Sequence, residues 1–187
     1  TRATLHGPWG RCMVHVPLPG AHNVTNTLLA SSAASCLGLD ADDLRRGLET
    51  VPAVPGRLER VHIPAAVGNA PMVLVDYAHT PEAIARIVKA SRALTDARVI
   101  AVLGAGGDRD QGKRFEMGVA VAMADAVVLT SDNPRSEDPR AILSSVLLGI
   151  PGSHSSVHVE QDRATAIGLA IGDAGPGDII LILGKGH

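Results

Sequence analysis

Aromatic residues are almost absent from this sequence. Trp9, Tyr77 and Phe115 are the only three among 187 residues. Val, Leu, Ile and Ala must therefore fill the core, and such a core suits a parallel sheet covered by Ala-rich helices. Cysteine is scarce too. Cys12 and Cys36 lack the spacing of a metal site, and we expect a reducing, cytoplasmic setting.

Strong net charge and long apolar runs are also lacking. A formal charge of −2 offers no surface for a polyanion, so we expect no nucleic-acid partner. No apolar run is long enough to span a bilayer and no signal peptide is recognisable, so we expect no membrane partner. The length suits one domain, or one domain with a piece of another. Both chain ends lead us to expect a piece of a longer protein.

The first fifty residues predict a hairpin and two helices. Two short strands flank a turn at residues 7–10, and a helix over residues 24–37 is stopped by Gly38. Asp40 is expected to cap the second helix. The Pro-rich segment 51–56 then predicts a domain boundary.

Beyond this linker, strands alternate with helices of ten or so residues. The predicted strands and helices cover, in turn, residues 71–76, 81–94, 98–103, 115–124, 126–130, 139–148, 157–160, 162–171 and 178–183. This pattern predicts an α/β fold with a doubly wound, mostly parallel sheet. We expect Asp162 to cap the last helix and Gly172 to end it.

A glycine-rich loop follows the strand at residues 98–103. Its glycines would let backbone N–H groups approach an anion, while Arg109, Lys113 and Arg114 would supply positive charge. The spacing does not fit a nucleotide-binding P-loop. The alternative is a surface turn with solvated charges.

A second polar loop, formed by Asp132, Asn133, Pro134 and Arg135, follows the strand at residues 126–130. Open α/β sheets bind ligands at the carboxyl ends of their strands. Because Pro134 stiffens the loop, its side chains could hold a zwitterion. The Asp carboxylate would take an ammonium, and the Arg and Asn side chains would take a carboxylate.

Several of these polar residues also have an ordinary structural explanation. Ser136 or Asp138 could cap the following helix, which would make the second loop a plain turn. Asp76 could hold the hydroxyls of a ribose, or it could cap the helix at residues 81–94. His79 could touch a phosphate or a base, or it could simply pack within its loop.

Polar residues at the other strand ends indicate one shared site. After the last strand, Gly184 and Gly186 expose Lys185 and His187, whereas the loop at residues 160–162 is typical of a plain helix cap. No paired carboxylates, catalytic triad or metal cluster emerges from the sequence. The site is therefore predicted to bind anions and a zwitterion.

These loops together resemble the C-terminal domain of the Mur ligases. The resemblance rests on Asp-Tyr-Ala-His-Thr-Pro at 76–81, Gly-Gly-Asp-Arg-Asp at 106–110, Gly-Lys-Arg at 112–114, Asp-Asn-Pro-Arg at 132–135 and Gly-Lys-Gly-His at 184–187. It implies a Rossmann-like C-terminal domain over residues 56–187, truncated at its end. Residues 1–55 would be the tail of the family's central ATP-binding domain.

The resemblance also implies a chemistry. ATP, with Mg²⁺, phosphorylates the carboxylate of a nucleotide-linked peptide, and the amine of an incoming amino acid attacks the acyl phosphate. The implied substrates are UDP-N-acetylmuramoyl-L-alanyl-D-glutamate, meso-diaminopimelate and ATP, used by a monomeric, cytoplasmic enzyme of peptidoglycan synthesis. The implied nucleotide contacts are Asn23, Asn26, Arg57, Asp76 and His79, and the implied amino-acid contacts are Arg109, Asp132, Asn133, Pro134, Arg135 and Gly184.

Arg135 bears on which amino acid is added. Meso-diaminopimelate carries a second carboxylate that lysine lacks, and an Arg can pair with it through two hydrogen bonds. The resemblance implies that an Asp-Asn-Pro-Arg loop marks the diaminopimelate-adding members. Two positions depart from the family pattern: Phe115 stands where a Pro is usual, and His22 stands where an aromatic residue is frequent.

The family's P-loop, metal ligands and uridine-binding domain have no counterpart in this sequence. The resemblance therefore implies no catalytic or metal-binding residue here, and this piece alone is expected to be inactive. Two other functions stay open: a Mur-like ligase for another amino acid, and a non-catalytic module that binds a nucleotide or an amino acid. An NAD-dependent oxidoreductase is disfavoured, because the glycines from Gly104 to Gly112 do not fit the dinucleotide-binding pattern.

Overall fold

The chain folds into two compact units, residues Thr1–Val54 and Pro55–His187. The computed structural model describes residues 2–18, 20, 22–61, 70–108 and 110–185. The division between the units falls within the Pro-rich segment 51–56.

The first unit is a hairpin with two helices. Strands β1 (Arg2–Gly7) and β2 (Gly10–His15) pair antiparallel, and helices α1 (His22–Cys36) and α2 (Ala41–Glu49) follow. Gly38 ends the first helical segment with a φ of +88°, a value that suits glycine. Asp40 caps α2 by accepting hydrogen bonds from two backbone N–H groups. The predictions for both residues are confirmed.

The second unit contains a mostly parallel sheet flanked by helices. Its elements are β3 (Glu59–Val61), β4 (Met72–Asp76), α3 (Pro81–Arg92), β5 (Val99–Ala105), α4 (Lys113–Val121), β6 (Ala126–Ser131), α5 (Pro139–Leu147), β7 (Val157–Val159), α6 (Arg163–Asp173) and β8 (Ile179–Leu183). In the described residues the strand order is β3-β4-β8-β5-β6-β7, and every pair is parallel except β3 with β4. The predicted doubly wound sheet is confirmed.

Two apolar clusters cover the two faces of this sheet. Along β5, Ala101 and Leu103 pack in a cluster with α3, α4 and α5, whereas Ile100 and Val102 pack in a second cluster with α6. Neighbouring residues of a strand point to opposite faces. Because both faces are covered, β5 is buried along its whole length and is apolar throughout.

Helix α6 ends later than its sequence predicts. Asp162 caps the helix as expected, but the helix continues through Gly172 to Asp173. Arg98 holds that last turn, since it donates to the carboxylate of Asp173 at 3.1 Å and to its carbonyl oxygen at 2.7 Å. The chain reverses instead at Gly177, where φ is +83°. The prediction that Gly172 ends the helix is wrong.

Helices α4 and α5 approach each other through two glycines. A Cβ atom on Gly118 would lie 2.0 Å from the Val146 carbonyl oxygen, and one on Gly149 would lie 1.9 Å from the Phe115 carbonyl oxygen. Helix α4 begins at Lys113, two residues before the predicted start. None of the helices in the described part of the chain is long and apolar enough to cross a membrane.

Candidate functional site

The carboxyl ends of four parallel strands surround a cleft of about 300 Å³ in the second unit. The strands are β4, β5, β6 and β8, which stand next to one another in the sheet. Charged and polar side chains from the loops after these strands line the cleft: Tyr77, His79, Lys113, Asp132, Asn133, Arg135 and Lys185. The cleft therefore lies where open α/β sheets place their ligands.

The loop after β6 presents Asp132, Asn133 and Arg135 to this cleft. Arg135 has a φ of +53°, in the left-handed region that few non-glycine residues occupy. Its Nη1 atom donates a hydrogen bond to the Gly107 carbonyl oxygen, which holds this side chain across the glycine-rich loop. The structure thus brings together a carboxylate, an amide and a guanidinium.

Of the two residues that could cap α5, Ser136 and Asp138, only Asp138 does so. Asp138 caps α5 by accepting a hydrogen bond from the Arg140 backbone N–H at 3.0 Å. Ser136 instead donates to the carboxylate of Asp108, from its hydroxyl at 2.6 Å and its backbone N–H at 3.1 Å. Ser136 therefore ties the two loops together, and its prediction as a cap is wrong.

The glycine-rich loop uses its glycines differently from the prediction. The Gly107 N–H, expected to face an anion, donates to the Asn133 carbonyl oxygen at 2.9 Å. A Cβ atom on Gly107 would lie 1.9 Å from the Pro134 carbonyl oxygen. Glycine is required here because the two loops touch through their backbones, and this N–H is not free for a ligand.

Arg114 corrects a second expectation about this loop. Its side chain is buried and pairs with the Glu137 carboxylate through two hydrogen bonds of 2.7 and 2.8 Å. These bonds, together with one from the Asp108 N–H, lower the pKa of Glu137 to about 2, and the same pairing raises the pKa of Arg114. The predicted role of Arg114 as a charge for an anion is wrong, whereas Lys113 lines the cleft.

Asp76 is buried at the end of β4 and is bound by its own chain. Its two carboxylate oxygens accept hydrogen bonds from the backbone N–H groups of Leu58 and Ala78, each at 2.8 Å. Thr80 caps α3, so the alternative role of Asp76 as a cap is wrong. Asp76 fixes the segment that carries Arg57.

Arg57 and His79 both contact Tyr77. The guanidinium carbon of Arg57 lies 5.5 Å from the centre of the Tyr77 ring. The His79 and Tyr77 ring centres are 4.7 Å apart, and the His79 Nδ1 atom lies 3.0 Å from the Tyr77 carbonyl oxygen. His79 thus packs within its loop and also lines the cleft.

Of the other predicted contacts, two lie on α1 in the first unit and one lines the cleft. Asn23 and Asn26 lie one turn apart on α1 of the first unit, where the Asn26 amide donates to the Asn23 side-chain oxygen at 3.1 Å. Gly184 lines the cleft with a φ of +92°, and a Cβ atom there would lie 2.7 Å from the Gly104 carbonyl oxygen. Arg109 and His187 lie outside the described residues.

Arg163 is a polar residue beside the cleft that the sequence analysis missed. It is the first residue of α6, and its Nη2 atom donates to the Leu183 carbonyl oxygen at 3.0 Å, next to Gly184. The predicted plain cap at residues 160–162 hid it. The sequence did contain a signal for a role of Arg163. A cation at a helix N-terminus destabilises the helix, and the first turn of α6 has no acidic residue to offset it.

Comparison with known proteins identifies the family. The family model described as "Mur ligase, glutamate ligase domain" matches residues 56–186. The chain belongs to the Mur ligase family. This match covers the whole sheet and every loop around the cleft.

Relatives of this Mur ligase chain carry one name. A UDP-N-acetylmuramoyl-L-alanyl-D-glutamate–2,6-diaminopimelate ligase of Prochlorococcus marinus is 48% identical over 185 residues, which are 98% of this chain and 36% of the relative. The ligase of the same name from Streptomyces coelicolor is 48% identical over 190 residues, with 98% and 37% covered. The chain thus spans a little over a third of the length of these relatives.

Solved structures give the same fold. A UDP-N-acetylmuramoyl-L-alanyl-D-glutamate–2,6-diaminopimelate ligase superposes with a TM-score of 0.68 at 38% identity, covering 100% of this Mur ligase chain and 37% of that chain. A Mycobacterium tuberculosis folylpolyglutamate synthase, solved with ADP and AMPPCP, superposes with a TM-score of 0.74 at 26% identity, covering 98% and 42%.

Proposed function

We propose that this chain is the C-terminal part of a ligase that adds meso-diaminopimelate to UDP-N-acetylmuramoyl-L-alanyl-D-glutamate, with ATP, in cytoplasmic peptidoglycan synthesis. The observation that carries the proposal is the cleft, which combines one carboxylate with several cations. Asp132 lines it together with Lys113, Arg135 and Lys185. The names of the Prochlorococcus and Streptomyces relatives support the same reaction.

The amino acid would lie in the cleft with its charges matched. The Asp132 carboxylate would accept hydrogen bonds from an ammonium group, and Asn133 and Arg135 would donate to a carboxylate. Meso-diaminopimelate has two ammonium and two carboxylate groups, so a surplus of cations suits it better than lysine, which has one carboxylate. Arg109 and Gly184 complete the proposed contacts, with Pro134 holding the loop.

The reaction would proceed through an acyl phosphate. The glutamate carboxylate of the nucleotide substrate attacks the γ-phosphorus of ATP and releases ADP. The free amine of the amino acid then attacks the acyl carbon, phosphate leaves, and the nitrogen loses a proton to give the amide. This part of the chain would position the amine, since correct orientation of two reactants supplies much of the rate.

The proposed nucleotide contacts are Asn23, Asn26, Arg57, Asp76 and His79, with residues 1–55 as the tail of the central domain. The folylpolyglutamate synthase bound to ADP and AMPPCP supports a nucleotide site in this fold. In the described residues no group of three His, Cys, Asp or Glu side chains could hold a metal ion. We propose that Mg²⁺ accompanies ATP in the complete ligase, held by residues outside this chain. The enzyme is proposed to act as a monomer.

A panel of amino acids tests this function. The complete ligase that contains this chain would be given UDP-N-acetylmuramoyl-L-alanyl-D-glutamate, ATP and either meso-diaminopimelate, L-lysine or L-ornithine, and ADP release would be followed. We expect kcat/KM for meso-diaminopimelate to exceed that for lysine by about 30-fold or more, because lysine leaves a charged donor unpaired. A higher kcat/KM for lysine or ornithine would contradict the proposal.

A further inference from the structure

Arg163 reaches from helix α6 to the end of strand β8. Its Nη2 atom donates to the Leu183 carbonyl oxygen at 3.0 Å. Gly184 follows directly and lines the cleft in the left-handed conformation. The position of Gly184 in the cleft therefore depends on a side chain of α6. This helix packs on one face of the sheet, whereas α3, α4 and α5 pack on the other.

The Arg163 guanidinium also lies close to Asp132, without a hydrogen bond between the two side chains. The Nη1 atom of Arg163 and the Oδ1 atom of Asp132 are both buried, and neither forms a hydrogen bond with the described residues. A Cβ atom placed on Gly104 would lie 3.0 Å from Nη1 and 2.9 Å from the Asp132 Cβ atom. The two side chains, which carry opposite charges, thus both lie against Gly104.

Local helix stability gives no reason for an Arg at this position. The positive end of the helix dipole lies at the N-terminus, where a cation is unfavourable. Asp162 already caps the helix through the Thr165 N–H at 2.8 Å. Burial lowers the pKa of Arg163, and the neighbouring Asp132 charge counteracts that effect. The arrangement is explained by what Arg163 does for the cleft.

We propose that Arg163 is a positioning residue of the amino-acid pocket. It holds the Asp132 carboxylate in place by charge attraction, and it fixes Gly184 through its hydrogen bond to the Leu183 carbonyl oxygen. It also offsets the charge of Asp132, which shifts the cleft towards substrates that carry more than one carboxylate. This inference rests on the proposed function for the identity of the ligand, whereas the coupling of Arg163 to Asp132 does not depend on it.

The kinetic test uses the complete ligase. Arg163→Met removes the charge and keeps much of the length of the side chain. We expect it to raise the KM for the amino acid at least tenfold while the KM for ATP changes less than twofold. In an Asp132→Asn background the same change should have less than half of that effect on the logarithm of KM, because the partner is already neutral. If the two substitutions raised the KM for the amino acid independently, so that their fold-changes multiplied in the double variant, the inference would be overturned.

A second variant covers a failure of Arg163→Met to fold. Arg163→Lys keeps the charge but has a single ammonium, which cannot serve Leu183 and Asp132 in the same way as a planar fork. We expect more than a twofold rise in the KM for the amino acid, and a smaller change would overturn the inference. Arg86→Lys, an exposed position on α3, is the matched control and should leave every KM unchanged.

A nuclear magnetic resonance measurement separates this inference from the proposed function. In the ¹⁵N-labelled 187-residue chain, Asp132→Asn should shift the side-chain Nε–H resonance of Arg163, and Arg163→Lys should shift the Gly184 amide. Neither readout needs turnover or a known amino acid. If both resonances stay in place, the inference fails even if the ligase uses meso-diaminopimelate. If both move and the ligase prefers lysine, the choice of substrate fails instead.

Discussion

Individual glycines determine how closely the loops around the cleft approach each other. Gly107 lies against the Pro134 carbonyl, and Gly184 lies against the Gly104 carbonyl. In both places a side chain would occupy the space of backbone atoms, which cannot move without moving a loop. The shape of the cleft therefore depends on the absence of a Cβ atom as much as on the charged groups.

Gly107→Ala should destabilise the second unit by about 1–3 kcal/mol, as other overpacking substitutions do, because its Cβ atom would lie 1.9 Å from the Pro134 carbonyl oxygen. Urea unfolding measures the change. The control is Gly168→Ala on helix α6, where nothing lies within 4 Å of the added atom. That variant should gain about 0.5–1 kcal/mol from helix propensity. Equal stability changes in the two variants would contradict the steric explanation.

Two arginines show what single residues in a sequence do not reveal. Lys113 and Arg114 are neighbours, yet helical geometry turns successive side chains about 100° apart, so Lys113 lines the cleft and Arg114 is buried against Glu137. Arg163 lies far from both in the sequence, yet it contacts the end of β8 beside the cleft. Charge near a glycine loop is visible in a sequence, but the direction of each side chain is not.

At the scale of elements, the loops after β5 and β6 behave as one unit. The Gly107 N–H, the Asp108 carboxylate and the Arg114 guanidinium each bond to the other loop. Because Arg114 is the second residue of α4, this helix is joined directly to the loop that carries Arg135. A ligand that touches one loop would therefore meet both.

The Arg114–Glu137 pair between the two loops predicts a loss of stability in acid. The pKa of Glu137 is about 2 in the folded chain, against an ordinary value of 4.5. Between these values the unfolded chain binds more protons than the folded chain, so stability falls as the pH is lowered through this range. The contribution of Glu137 is complete above pH 4.5 and is lost towards pH 2.

Urea unfolding of the wild type and of Glu137→Gln at several pH values measures this contribution. We expect the variant to be less stable near neutral pH and the difference to shrink as the pH approaches 2. Glu116→Gln, at an exposed position on the same helix as Arg114, controls for the general loss of a carboxylate. A difference between wild type and Glu137→Gln that stays constant across the pH range would contradict the role of the pair.

Element types were predictable from the sequence, whereas some boundaries and the strand order were not. Buried parallel strands are apolar throughout, which makes β5, β6 and β8 conspicuous. The position of β8 between β4 and β5 depends on contacts between residues far apart in the chain. The end of α6 likewise depends on Arg98, which binds its last turn from the residue before β5.

At the scale of the whole molecule, each unit has buried apolar clusters of its own. The second unit has an apolar cluster on each face of its sheet. In the first unit, Leu28 and Leu29 on α1 and Leu37, just after its end, are exposed. The relatives are almost three times as long as this chain, which is consistent with the proposal that residues 1–55 belong to a larger central domain.

Arg135 is the residue proposed to select the amino acid, because its guanidinium would pair with a carboxylate of meso-diaminopimelate. The decisive measurement is the KM for this amino acid in the complete ligase with Arg135→Ala and Arg135→Lys. Losing a charge-assisted pair of about 2 kcal/mol should raise the KM roughly 30-fold in Arg135→Ala. Arg135→Lys should show a smaller rise, because it keeps the charge but loses the fork.

Arg140→Ala, at an exposed position on the neighbouring helix, serves as the control and should leave the KM unchanged. The KM for ATP should stay the same in all three variants, because the proposed role of Arg135 concerns the amino acid alone. An Arg135→Ala ligase with an unchanged KM for meso-diaminopimelate would contradict the central claim.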